Sequence, residues 1–232
     1  MFEWLRGLGQ HAPRNLHKMS LAFGQMLDAG KQMFDTASNA LLGGTDLSVI
    51  RDDLFATDLR INAAEQQIRR ELVVHVTVHG THDLPACLTM MSVVKDAERI
   101  GDYAKNIFDL AELTPAGVKE KEFDDLNGLK SSISRGLADT RRIFEAQSED
   151  EARAVARDLM SIEDRCDTRM ADLVLHQREH ACPVTYALTY RYFKRVASHA
   201  MNIVTSVYLP LDKIDFFDEK PRPTGVRKPE TK

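Results

Sequence analysis

Acidic side chains recur on one side of a segment that has a helical pattern. In DAERIGDYAKNIFD, which starts at Asp96, the acids Glu98, Asp102 and Asp109 fall close together around a helix axis. At 100° per residue, Asp102 lies about 40° and Asp109 about 20° from Glu98. Like charges at this spacing cost roughly 0.2–0.5 kcal/mol per pair in an exposed helix, and more when they are partly buried. The stripe therefore either faces solvent or binds something positive.

The preceding helix offers oxygen ligands at the same spacing. Asp58 and Asn62 stand at i and i+4, and Glu65 follows on the same side of that helix. If these residues face Glu98 and Asp102, the two helices form a cage of oxygen atoms that suits a divalent or trivalent cation. The residues alone allow two interpretations, a metal site or a solvated acidic face.

Other candidate chemistry is weaker. His75, His79 and His82 have a zinc-like spacing, but Gly80 interrupts the helix before the third of them, and no His-Glu-x-x-His motif accompanies them. The sequence also has no nucleophile elbow, no Walker phosphate loop and no glycine-rich dinucleotide turn. We therefore expect structural histidines and a protein that is not an enzyme.

The composition is that of an ordinary globular protein. The 232 residues are 43% hydrophobic and 28% charged, with a formal net charge of −4, which excludes disorder throughout and gives nucleic-acid binding little electrostatic support. Three cysteines without CxxC spacing indicate reduced thiols. No apolar run approaches the roughly 18 residues of a membrane span. We expect a cytoplasmic protein that neither spans a membrane nor binds nucleic acid.

Hydrophobic periodicity predicts six helices and no strands. Met, Leu and Phe recur at three- and four-residue intervals in the first helix. Thr45 or Asp46 can cap the second helix, and Ser148 with Glu151 spells a capping box before the fifth. The predicted helices run from about Pro13 to Leu42, from Asp46 to about Val76, from Pro85 to about Leu113, from Leu126 to Gln147, from Ser148 to about Glu179, and from Pro183 to near YLPLDK.

Two aligned pairs of segments indicate an internal duplication. DLFATDLRIN, from Asp53, and DLMSIEDRCD, from Asp158, share Asp-Leu, an acid, an arginine and a closing Asn or Asp at the same positions. AERIGDYAKNI, from Ala97, and FKRVASHAMNI, from Phe193, share Arg, Ala and Asn-Ile. The break at TPAGVKEKEFDD separates the two halves. The predicted fold is all-α, with two tandem three-helix bundles.

The domain boundaries follow from that break. We predict a first three-helix repeat over residues 12–114, a second over residues 120–215, and a disordered tail over residues 216–232, where charge and proline replace apolar residues. Long amphipathic helices often keep an apolar stripe beyond what one bundle buries. A homodimer is therefore expected as well.

The segment DAERIGDYAKNI resembles a diagnostic segment of the PhoU family, regulators of phosphate uptake built from two three-helix bundles that carry Glu-x-x-x-Asp motifs. Helix order and the repeat extend the resemblance over roughly residues 16–211. The resemblance favours metal contact at Glu98 and Asp102, with Asp58 and Asn62 as further ligands. The cofactor that it implies is a divalent or trivalent metal ion: iron, zinc, manganese or magnesium.

The second half departs from the family's motif. Lys194 and Ser198 stand where the first half has its two motif carboxylates, so a cation and a hydroxyl replace two ligands. We expect Lys194 to pair with Glu163 or Asp167 on the fifth helix and to take the place of a metal. The second bundle should therefore bind no cluster, or a depleted one.

The resemblance implies a cytoplasmic regulator of phosphate uptake and phosphate-starvation signalling, which acts by protein–protein contacts with a phosphate transporter, a sensor histidine kinase or both. The alternative is a carboxylate-bridged metal-binding protein, either a di-iron oxidoreductase or a metal store. Four-helix di-iron sites also need Glu-x-x-His pairs, and the third residue after Glu98 is Gly101. A helical scaffold without a ligand is the third possibility.

Overall fold

The structure is a computed structural model that describes residues 14–114, 121–180 and 182–216. Within these ranges no residue belongs to a strand, so the predicted all-α class is confirmed. The predicted tail, apart from Phe216, lies outside the described residues. The six helices are α1 (Arg14–Gly43), α2 (Leu47–His79), α3 (Leu84–Leu113), α4 (Lys121–Ala146), α5 (Glu149–Leu175) and α6 (Pro183–Thr205).

Local hydrogen bonds and backbone geometry explain several helix ends. Asp46 precedes α2, and its side chain accepts a hydrogen bond from the Ser48 amide at 2.9 Å, which confirms the predicted cap. Gly80 ends α2 with a φ of 78°, a conformation that glycine adopts without strain. Ser148 precedes α5, but its side chain makes no capping hydrogen bond. The sequence therefore predicts the position of this cap correctly and its hydrogen bond wrongly.

The fifth helix is shorter than the sequence pattern indicates, and the sixth ends close to its predicted end. Helix α5 ends at Leu175, and Gln177–Glu179 form a separate 3-10 turn rather than continuing the helix. His176, between them, has φ of −115° and ψ of 28°, which lies outside the helical region. Helix α6 ends at Thr205, three residues before Tyr208, in agreement with its predicted end near YLPLDK. Apolar residues recur past the end of α6, at Val207, Leu209 and Leu211, whereas the HQREH residues that follow α5 are polar.

The helices form two triplets that share one core. In the first triplet α2 packs on α1 and α3, and in the second α5 packs on α4 and α6. The triplets also pack on each other, since α1 lies against α4 and α3 lies against α6. Their buried apolar side chains form one continuous core. The division of the chain into repeats at 12–114 and 120–215 stays a prediction. In the structure the two halves pack together as a single body.

Aromatic side chains fill the contact between the triplets. Phe23 of α1 packs against Phe144 of α4 with ring centroids 4.6 Å apart, and Phe34 of α1 meets Phe193 of α6 at 5.3 Å. All four side chains are buried. Burial of a phenylalanine contributes about 1.5–3 kcal/mol, so these contacts hold the triplets together strongly.

A buried polar network also joins the triplets. Asp96 of α3 is fully buried, and it accepts hydrogen bonds from His199 Nδ1 at 2.8 Å and from Asn202 Nδ2 at 3.1 Å, both on α6. Lys95 Nζ lies 3.3 Å from the same carboxylate. The other ring nitrogen of His199 lies 3.3 Å from an Arg195 guanidinium nitrogen. The carboxylate therefore has the partners that a buried charge requires.

Replacing Asp96 with alanine should lower the free energy of unfolding by roughly 2–4 kcal/mol, because His199 and Asn202 lose their buried acceptor. Urea denaturation followed by circular dichroism would measure this change. The matched control is Asp109→Ala, on the exposed side of the same helix, which should change stability by less than about 0.5 kcal/mol. Equal effects of the two substitutions would show that the network does not stabilise the fold.

Candidate cation site between α2 and α3

Helices α2 and α3 approach each other closely at the candidate site. A Cβ atom on Gly101 of α3 would lie 3.3 Å from Ile61 Cδ1 of α2, which is tighter than ordinary contact. The four residues predicted as metal ligands lie near these two contact residues: Glu98 and Asp102 on α3, and Asp58 and Asn62 on α2. The structure therefore brings the predicted site residues to one helix–helix contact.

A lysine that the sequence analysis does not single out neutralises two of these residues. Lys105 Nζ lies 2.9 Å from Asp58 Oδ2 and 3.0 Å from Asp102 Oδ1. The Asp58 side chain is only 9% exposed, so water screens this pair weakly. Burial would lower the pKa of Lys105, but hydrogen bonds to Asp58 and Asp102 outweigh it and raise the pKa above its ordinary value. A charged ammonium therefore lies between the helices, where the sequence predicts a metal ion.

Asn62 is only partly satisfied. Its Nδ2 donates a hydrogen bond to Asp58 Oδ2 at 3.3 Å. Its Oδ1 is buried and has no hydrogen-bond partner within the ranges that the structure describes. Such an atom costs about 1–3 kcal/mol unless a water or an ion binds it. Asn62 thus has an unused oxygen, but it is Nδ2 that faces Asp58.

Glu98 lies at the other end of the site among like charges. Burial, then the charges of Asp102 and Glu65, raise the pKa of Glu98 to about 7. Arg99 opposes this only partly, because its Nε lies 3.7 Å from the Glu98 carboxylate. Arg69 is bound to Glu65 at 2.8 Å. Glu98 therefore keeps its proton to a higher pH than an ordinary glutamate does.

The arrangement does not fit a resident metal ion. Across residues 14–114, 121–180 and 182–216, no group of three or more His, Cys, Asp or Glu side chains could hold one. Asp58 and Asp102 are bound to the Lys105 ammonium, which a metal would have to displace. The metal ion at Glu98, Asp102, Asp58 and Asn62 stays a prediction.

A lysine also neutralises the equivalent surface of the second triplet. Lys194 of α6 donates a hydrogen bond to Asp167 Oδ2 of α5. Ser198 of α6 donates to Glu163 Oε1, and Glu163 is buried. The predicted pairing of Lys194 with a carboxylate of the fifth helix is therefore confirmed, with Asp167 as the partner.

Histidine and cysteine side chains outside these surfaces have structural surroundings. His75 is buried, and its Nε2 lies 2.9 Å from Asp83 Oδ2. The rings of His75 and His79 lie 4.6 Å apart, centroid to centroid. Burial raises the pKa of the Cys166 thiol to about 12, so this residue is no thiolate nucleophile at neutral pH. These contacts agree with the structural role expected for the histidines.

An open cleft leads from the surface to the candidate site. It has a volume of about 450 Å³, and its walls include Lys105, Arg99, Asp102 and Asp109. Two cationic and two acidic side chains give the cleft no single sign of charge. Small ions can therefore reach Lys105, and the charges of the cleft do not select between cations and anions.

Replacing Glu98 with glutamine should stabilise the protein at alkaline pH. The folded-state pKa of about 7 exceeds the ordinary value of 4.5, so the contribution of Glu98 to stability is present below pH 4.5 and is lost as the pH rises to 7. Glutamine cannot ionise, and the variant should exceed wild type by roughly 1–3 kcal/mol at pH 8. Urea denaturation at pH 5 and pH 8 measures this, with Asp109→Asn as the control. If the difference in unfolding free energy between variant and wild type is the same at pH 5 and at pH 8, the raised pKa of Glu98 is contradicted.

One sequence comparison matches part of the chain to a known protein family. A protein-family model described as the PhoU domain matches residues 23–111. A comparison with curated protein sequences found no match. In the described part of the chain, no helix combines the length and apolar character that crossing a membrane requires.

Solved structures share the fold over most of the chain. PhoU from Pseudomonas aeruginosa matches with a TM-score of 0.74 and 21% identity, covering 83% of this chain and 95% of that chain. The phosphate transport system regulatory protein PhoU from Streptococcus pneumoniae matches with a TM-score of 0.68 and 20% identity, covering 82% and 92%. The resemblance drawn from the sequence is therefore confirmed: residues 23–111 match the PhoU domain model, and the chain shares the fold of the two solved PhoU structures.

Proposed function

We propose that this chain is a cytoplasmic regulator of phosphate uptake and phosphate-starvation signalling. It acts through protein–protein contacts with a phosphate transporter, a sensor histidine kinase or both. The observation that carries the proposal is the match of residues 23–111 to the PhoU domain. The structurally similar protein from Streptococcus pneumoniae is described as the regulatory protein of a phosphate transport system.

Exposed apolar side chains support a role in protein contacts. Some of them lie at corresponding places in the two triplets, near the end of the middle helix, and in the second triplet another lies at the start of the next helix. In the first triplet Val74 and Val78 are 60% and 68% exposed, and in the second Leu175 and Val184 are 73% and 70% exposed. Exposed apolar surface of this kind marks sites of protein contact when several such side chains lie together.

The shared core gives these two places a fixed spacing. Because α1 packs on α4 and α3 packs on α6, the triplets do not move as independent domains. A partner that contacts both places would therefore meet them at a fixed distance from each other. We also propose that the chain forms a homodimer and that exposed apolar side chains lie in its interface.

The proposed function needs neither a catalytic step nor a metal. The alternative, a carboxylate-bridged di-iron oxidoreductase or metal store, gains no support from this site, because Lys105 binds Asp58 and Asp102. That alternative stays a prediction.

Affinity purification of the tagged chain from phosphate-replete cells should recover a phosphate transporter or sensor kinase component. Introducing charge at the end of α2 with Val74→Asp and Val78→Asp should reduce this recovery by about tenfold or more, because a buried unpaired charge disrupts an apolar contact. Quantitative mass spectrometry measures the recovery. Val49→Asp, at an equally exposed position near the start of α2, is the matched control.

Phosphate uptake gives the second readout. Deleting the chain should increase phosphate uptake when phosphate is plentiful, and a wild-type copy should lower uptake again. The proposal is wrong if uptake is unchanged on deletion and the purification recovers neither a transporter nor a kinase component.

A further inference from the structure

We infer that Lys105 and Lys194 are built-in counter-ions of the two acidic helix pairs, and that Lys105 excludes divalent cations from the first pair. This inference concerns the binding of metal ions such as Mn²⁺. It does not depend on the regulatory function proposed above, whose test measures partner recovery and phosphate uptake.

The position of the Lys105 ammonium carries the first step. Its Nζ bridges the two helices, at 2.9 Å from Asp58 of α2 and 3.0 Å from Asp102 of α3. Metal–oxygen distances are about 2.0–2.6 Å, so a metal ion bound to the same two oxygens would occupy the space of the ammonium. The ammonium and a metal ion therefore compete for one position.

The second triplet supplies an independent observation. Lys194 stands at the motif position itself, whereas Lys105 lies three residues beyond the second motif carboxylate of the first triplet. Both lysines nevertheless bind a carboxylate on the facing helix, Asp58 in one triplet and Asp167 in the other. In each triplet a lysine thus neutralises a carboxylate of the facing helix, although the two lysines stand at different positions of the repeat.

The surroundings of Lys105 define what its removal would leave. Asp58 and Asp102 would lose their shared ammonium and face each other across the helix contact. Asn62 donates through Nδ2 to Asp58 Oδ2, and its Oδ1 is buried without a hydrogen-bond partner in the described part of the chain, so a flip of this amide would present a third oxygen to the site. Three oxygen ligands from two helices suit a hard divalent cation. Removing the lysine should therefore create a metal site that the wild-type chain lacks.

The test compares Mn²⁺ binding by chelator-treated full-length wild type, Lys105→Met and Lys31→Met. Lys31 is the control because it pairs with Asp35 on its own helix at 2.7 Å and with neither Asp58 nor Asp102. In wild type and Lys31→Met, Mn²⁺ should leave the melting temperature unchanged. Lys105→Met should melt at a lower temperature in chelator, recover on adding Mn²⁺, and bind Mn²⁺ at least about tenfold more tightly than wild type.

Two further variants locate the gained site. Adding Asp58→Asn and Asp102→Asn to Lys105→Met should abolish the gain in Mn²⁺ affinity, since both charged ligands are lost. Lys194→Met should also melt at a lower temperature, but Mn²⁺ should not restore it. The reason is that Ser198 supplies a hydroxyl where the first triplet has the Asp102 carboxylate.

Two results would overturn the inference. Wild-type protein that binds Mn²⁺ as tightly as Lys105→Met would show that the lysine excludes nothing. A folded Lys105→Met that gains no affinity would show that the ammonium occupies no potential metal position. If Lys105→Met does not fold, Lys105→Gln replaces it in the same measurements. Saturable Mn²⁺ binding that raises the melting temperature of the wild-type protein would also contradict the inference, whatever the variants do.

Discussion

Carboxylates on closely packed helices require positive charge, and this requirement shapes both triplets. Helices α2 and α3 approach closely at Gly101, which places Asp58 and Asp102 near one another. The Lys105 ammonium meets both, so the helix pair is neutralised from within the chain. In the second triplet Lys194 of α6 pairs with one carboxylate, Asp167 of α5. The acidic side chains look like a site for a bound metal ion, but a lysine of the same chain supplies the positive charge there.

The neutralised helix pairs are connected through the centre of the molecule. Asp96 joins α3 to His199 on α6, and the phenylalanine pairs join α1 to α4 and α6. The sequence duplication predicts two bundles, but these contacts make one packed body of them. For a protein proposed to act by contact with partners, this rigidity fixes the distance between the exposed apolar ends of the two triplets.

Local signals predict much of the fold, and longer-range contacts explain what they miss. Periodicity predicts the six helices, and Asp46 predicts the start of α2, because neighbouring residues determine both. Lys105 escapes prediction because it lies about 60° around the axis from Asp102, and only its flexible side chain brings the ammonium to α2. The pairing of Asp96 with His199 depends on how α3 lies against α6, which the pattern of each helix alone does not determine.

The most direct measurement is a crystal structure of the full-length chain grown with millimolar Mn²⁺, with anomalous diffraction data to locate the metal. The expected result is a Lys105 ammonium within hydrogen-bond distance of Asp58 and Asp102, with no anomalous peak between α2 and α3. A Lys105 side chain turned into solvent, with a Mn²⁺ peak bound by those two carboxylates, would contradict internal neutralisation.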